Sequence, residues 1–82
     1  MTVTVVLSTG STEMTGGETR FELEARNLRG VIRQMDERYP GIGAFLEEET
    51  TVAIDGEIQE HADYQVLPDG TEVFFLPKLE AG

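Results

Sequence analysis

The chain has 82 residues, 39% hydrophobic and 27% charged, with a formal net charge of −10 and no cysteine. That length makes one small domain able to bury a single core, and the missing cysteine excludes disulfides, thiolate zinc sites and a cysteine nucleophile. The negative balance argues against charge-driven binding to nucleic acid or to an anionic membrane and favours a basic groove on a protein partner.

The opening Met1-Thr2-Val3-Thr4-Val5 lacks a basic region followed by an apolar run. No apolar stretch approaches membrane-spanning length, and the expected location is the cytoplasm. Thr2 to Leu7 alternates, with Val3, Val5 and Leu7 on one side, which predicts a strand with one buried face. Ser8 to Gly17 is rich in Ser, Thr and Gly and reads as a loop in which Gly16-Gly17 permits positive φ. Glu18 to Glu24 alternates again, Phe21 and Leu23 inward, and the two strands suggest an antiparallel hairpin.

Asn27 is a helix N-cap by type. Leu28, Val31, Ile32, Met35 and Tyr39 follow with helical spacing, and Pro40-Gly41 stops the helix. Gly30 stands in its first turn, where a close approach to the sheet is one reason for glycine. Ile42 to Leu46 reads as a short turn over the core edge, ahead of the acidic run Glu47-Glu48-Glu49. Thr51 to Ile54 is a short strand turned back by Asp55-Gly56. Glu57-Ile58 begins another, His61 to Gln65 is irregular, Pro68-Asp69-Gly70 is a turn, and Thr71 to Pro77 is the last strand.

The order strand, strand, helix, strand, short strand, strand predicts an α+β domain with one helix on one face of a mixed sheet of four to five strands. The β-grasp, or ubiquitin-like, arrangement satisfies that order, with the first and last strands parallel at the centre. The domain is expected over 1–77 and a flexible tail over 78–82.

The body of the domain offers no catalytic residue. Glu47-Glu48-Glu49 reads as a solvated loop, and neither Asp55-Gly56 nor Asp69-Gly70 has calcium-loop spacing. His61, the single histidine, has no second ligand type near it in sequence, so no metal is expected. Gly16-Gly17 is followed by no Gly-Lys-Ser/Thr, and Ser8 and Ser11 lack a nucleophile-elbow context.

The chemistry points instead to the C-terminus. Glycine at the last position lets a tail thread a narrow channel and leaves its carboxyl carbon open on both sides. The five residues after Pro77 extend roughly 16 Å at about 3.3 Å each. Many chains end in small disordered residues, so the tail alone decides nothing. On the last strand, parity with Val3, Val5 and Leu7 places Val73 and Phe75 inside. Phe74 and Leu76 then form an apolar patch on the open face near the tail, the mark of a docking surface.

The segment Leu67-Pro68-Asp69-Gly70-Thr71-Glu72-Val73-Phe74-Phe75-Leu76-Pro77, followed by Lys78-Leu79-Glu80-Ala81-Gly82, resembles the ThiS/MoaD sulfur carriers. These are ubiquitin-like domains that include the small subunit of molybdopterin synthase. Tyr39-Pro40, Val52-Ala53-Ile54-Asp55-Gly56 and Gly16-Gly17 look like the family too. The resemblance implies a carrier rather than an enzyme, binding no cofactor itself. An E1-like enzyme using ATP adenylates the terminal carboxylate, here that of Gly82. Conversion to a thiocarboxylate then lets it deliver sulfur to an accepting synthase in molybdopterin-like, thiamine or cysteine biosynthesis. By the same resemblance Ala81 lines the partner's channel, and Phe74 and Leu76 dock the activating enzyme. The family has glycine where this chain has Ala81, whose methyl group narrows the backbone conformations available. A non-covalent ubiquitin-like interaction module and a ubiquitin-like protein modifier are the alternative readings.

Overall fold

In a computed structural model, which describes residues 2–59 and 65–78, β1 (Thr2–Leu7) alternates as its sequence does. Val3, Val5 and Leu7 are buried, while Thr2, Thr4 and Val6 are half-buried on the other face. β2 (Arg20–Glu24) pairs antiparallel with it, setting Val5 opposite Phe21 and Val3 opposite Leu23. Two strands thereby contribute one continuous apolar face. The connection, expected as a loop, contains a 3-10 helix at Thr9–Thr15. Gly16 and Gly17 end it with φ of 69° and 94°, as their residue type allows.

α1 (Leu28–Arg38) begins where the side chain of Asn27 accepts the Gly30 N–H at 2.9 Å. Leu28, Val31 and Met35 are buried on its inner face. The expectation that Gly30 marks a close approach to the sheet is not met. A Cβ there would meet only the Asn27 side chain at 3.5 Å and Ala25 Cβ at 3.6 Å, ordinary contacts outside the strands.

A second helix, α2 (Ile42–Glu49), occupies the stretch read as a short turn and an acidic loop. Its cause is tertiary. One carboxylate oxygen of Asp36 accepts the N–H groups of Gly41 at 3.1 Å and Gly43 at 2.9 Å, satisfying donors that a helix start leaves open. Ile42 and Leu46, one turn apart, are buried in the core. Eight residues hold no helix alone, and packing on α1 supplies what propensity does not. Gly41, between the helices, has φ 99°, a value that side chains other than glycine's rarely adopt.

β3 (Thr50–Ile54) and β4 (Glu57–Gln59) form a hairpin with Ala53 opposite Ile58. Its two turn residues, Asp55 and Gly56, have φ of 50° and 86°, the twist that favours two-residue hairpins. Asp55 also ties this turn to β5 (Glu72–Pro77): its N–H donates to the Glu72 carbonyl and its carboxylate accepts the Glu72 N–H.

The sheet order is β2-β1-β5-β3-β4, with β1 and β5 parallel and the other pairs antiparallel. Both helices contribute to one core with Val3, Val5, Val52, Val73 and Phe75. That is the β-grasp arrangement, with β5 paired on both sides at the centre.

Candidate docking face and tail root

The face of the sheet away from the helices is built by strand parity. Leu7 pairs with Phe75 and Val5 with Val73 on the core side, so Val6 pairs with Phe74 on the open side. Phe74 in turn lies opposite Ala53, and Ala53 opposite Ile58. Val6, Phe74, Ala53 and Ile58 therefore form one transverse apolar row across four strands. Leu76, opposite Thr51, lies one row nearer the end of β5. In the other direction the row below is polar, with Glu22, Thr4 and Glu72 in register. Apolar character on this face is thus concentrated toward the end of the sheet where β5 finishes.

Val73 and Phe75 are buried, as their parity implies. Phe74 and Leu76 are half-buried rather than fully exposed, Phe74 lying between Val6 and Ala53 on its row. The prominent apolar chain is Ile58, which is 61% exposed on the edge strand. Sequence reading missed it together with Val6 and Ala53. Two signals were available: valine at the polar parity of β1, and the Asp55-Gly56 turn, whose two-residue length fixes Ile58 opposite Ala53. Ala53 is 4% exposed although it lies outside the core cluster, with Phe74 and Ile58 on either side of it.

β5 leaves the sheet in a defined direction. Pro77 pairs with Thr50, the Lys78 N–H donates to the Glu49 carbonyl at 3.2 Å, and Lys78 Nζ donates to the Glu48 carbonyl at 3.2 Å. Lys78 places a cation at the carbonyl end of α2, where the helix dipole favours one. Ala81 and Gly82 lie outside the described residues, as does His61. The part of the site that is described is therefore the tail's root and the face beside it.

Glu24, at the end of β2, accepts the Thr2 hydroxyl at 2.5 Å, and this bond holds its carboxyl below the usual carboxylate range. Among the described residues no group of three or more His, Asp or Glu side chains converges as a metal site would. No described helix is long and apolar enough to cross a membrane.

Comparison with known proteins agrees with this geometry. Residues 5–79 match the sequence profile of the ThiS family. Sequence comparison with curated proteins gives no match. Among solved structures, the chain superimposes on one from the BexX/CysO complex of Amycolatopsis orientalis with a TM-score of 0.82 and 27% identity, covering 98% of this chain and 99% of that one. It superimposes on one from the complex of subunits 1 and 2 of the Helicobacter pylori molybdopterin-converting factor with a TM-score of 0.72 and 21% identity, covering the whole of both chains. For small archaeal modifier protein 1 of Methanosarcina acetivorans the TM-score is 0.82 at 20% identity, covering 99% of this chain and 96% of that one.

Proposed function

Since the chain belongs to the ThiS family of small ubiquitin-like carriers, we propose that it carries sulfur as a thiocarboxylate on Gly82. The observation that carries this reading is the course of β5. The strand is held from both sides at the centre of the sheet and runs out through Pro77 to Lys78, so the residues that follow start at the rim.

A carboxylate is a poor electrophile. An E1-like partner makes it reactive by letting a Gly82 carboxylate oxygen attack the α-phosphorus of ATP, expelling pyrophosphate and forming an acyl-adenylate. Hydrosulfide, or its enzyme-bound equivalent, then attacks the acyl carbon; the C–O bond to AMP breaks, AMP leaves, and a thiocarboxylate and a proton result. That group delivers its sulfur to an accepting synthase in a cofactor, thiamine or cysteine pathway. The cysteine-free chain gains a sulfur nucleophile in this way, with catalysis supplied by its partners. Ala81 enters the partner's channel with Gly82. The apolar row at Phe74, together with Leu76, supplies docking area beside it. The setting in which these partners would be met is the cytoplasm.

The assay is ATP–pyrophosphate exchange by the cognate E1-like enzyme. Exchange should depend on the full chain and vanish when Gly82 is deleted. Exchange with Ala81→Gly but not with the natural tail would mean that native carrier function is lost. The exposure of Ile58 favours a second reading, a module that binds a partner non-covalently through the same face. Under that reading the Gly82 deletion leaves partner binding intact and no adenylate forms.

A further inference from the structure

At the carbonyl end of α2, donors arrive from outside the helix. The Thr50 hydroxyl donates to the Leu46 carbonyl, the Lys78 ammonium to that of Glu48 at 3.2 Å, and the Lys78 backbone N–H to that of Glu49 at 3.2 Å. A helix leaves its last carbonyls open, and the negative end of its dipole collects there. α2 has no basic residue in its own last turn, which ends on Glu47-Glu48-Glu49. The cation that suits this end comes instead from the residue that follows β5.

The same two bonds act on the root of the tail. Pro77 pairs with Thr50, the first residue of β3, and the Lys78 N–H takes the carbonyl just before it, that of Glu49. The track of β5 thus continues for one residue beyond the sheet, along the end of α2. Lys78 is exposed and belongs to no strand, so its course depends on these two bonds rather than on packing. Four residues follow it. Fully extended, they reach about 13 Å from the end of α2, less than the roughly 16 Å counted from Pro77.

We propose that Lys78 is a positioning residue for adenylation: by clasping the carbonyl end of α2 it sets the point and direction from which the C-terminal residues enter the activating enzyme. This role rests on the reading of Gly82 as the adenylated group. It places the mouth of the enzyme's channel at the end of α2, within about 13 Å of the reacting phosphorus. A root already ordered in the free chain costs less to order on binding. That gain is the same in the bound ground state and in the transition state, so it lowers the KM for the carrier and leaves kcat alone. Lys78 acts through the residues that follow it and takes no part in the bond changes at Gly82.

The test is ATP–pyrophosphate exchange by the cognate E1-like enzyme with the full chain as the varied substrate. Lys78→Ala keeps the backbone N–H and loses the ammonium. Its KM should rise about three- to tenfold, the worth of one ordinary net hydrogen bond, with kcat within about twofold. Lys78→Arg keeps a donor in place and should return the KM to within about twofold of the natural value. Lys78→Ala/Leu79→Lys moves the cation on by one residue, and Lys78→Ala/Leu79→Gln is its neutral control; the two should share one KM. A lower KM for the lysine-bearing double variant overturns the proposal, since a charge that merely attracts the enzyme then suffices. An unchanged KM for Lys78→Ala overturns it as well, even with a lowered melting temperature, because Lys78 then only stabilises the end of α2. So does a fall in kcat without a rise in KM. In all three cases the natural chain still exchanges and the Gly82 reading survives. No exchange with the natural chain, by an enzyme that adenylates another carrier in the same assay, overturns both.

Discussion

Phe74 stands between Val6 and Ala53 on the open face of the sheet, whereas Phe75, the next residue, is 1% exposed beneath the helices between Leu7 and Val52. Adjacent residues of one type thus face opposite sides of the sheet, one on the open face and one in the core. Phe75→Ala should cost about 3–5 kcal/mol, a large share of the stability of so small a domain. Phe74→Ala should cost clearly less and retain the fold. Denaturant midpoints of the two variants, compared at equal slope, check this.

Ile58 protrudes from the edge strand opposite Ala53. Ile58→Glu should leave stability within about 0.5 kcal/mol of the natural chain, as surface changes away from special features generally do. If the apolar row docks the activating enzyme, the same variant should raise the KM for the carrier in adenylation with little change in kcat. An unchanged KM would remove Ile58 from the docking surface.

Two glycines of the helical layer should respond in opposite directions. At Gly30 an added Cβ makes only ordinary contacts, so Gly30→Ala should stabilise by roughly 0.5–1 kcal/mol through helix propensity. At Gly41, with φ 99°, alanine is strained whatever the space, and Gly41→Ala should destabilise by about 1–3 kcal/mol. Thermal unfolding of the pair measures both signs in one experiment.

Most of the fold was legible because its signals are local and periodic. Val3, Val5 and Leu7, then Phe21 and Leu23, announce two strands by alternation, and Asn27 with Leu28, Val31 and Met35 announces α1. The parity of Val73 and Phe75 carried over correctly from β1. What escaped depends on contacts distant in sequence. α2 is capped by Asp36 from the preceding helix, and no pattern within Ile42–Glu49 displays that carboxylate. Leu67 is 0% exposed in the core, yet it stands in an irregular stretch held by its N–H bond to the Arg26 carbonyl. Ile58 and Ala53 joined the open-face row only once the hairpin register was known.

The Glu24 carboxyl, held low by the Thr2 hydroxyl, makes a prediction about acid. A depressed folded-state value means that this bond contributes stability above the unfolded carboxylate range. The contribution is lost as pH falls through the lower folded value. Glu24→Gln should therefore flatten the acid limb of the stability profile and leave the profile near neutrality parallel to that of the natural chain. Denaturation midpoints taken from pH 7 downward supply the comparison.

The central claim, that Gly82 is a sulfur-bearing group, is tested most directly by intact mass. The full chain is incubated with the cognate E1-like enzyme, ATP and a sulfur donor. The account predicts a rise by one oxygen-to-sulfur replacement, located in the C-terminal peptide and absent when Gly82 is deleted. An unchanged mass for both the natural chain and Ala81→Gly, with an enzyme that thiocarboxylates another carrier in the same assay, would contradict it.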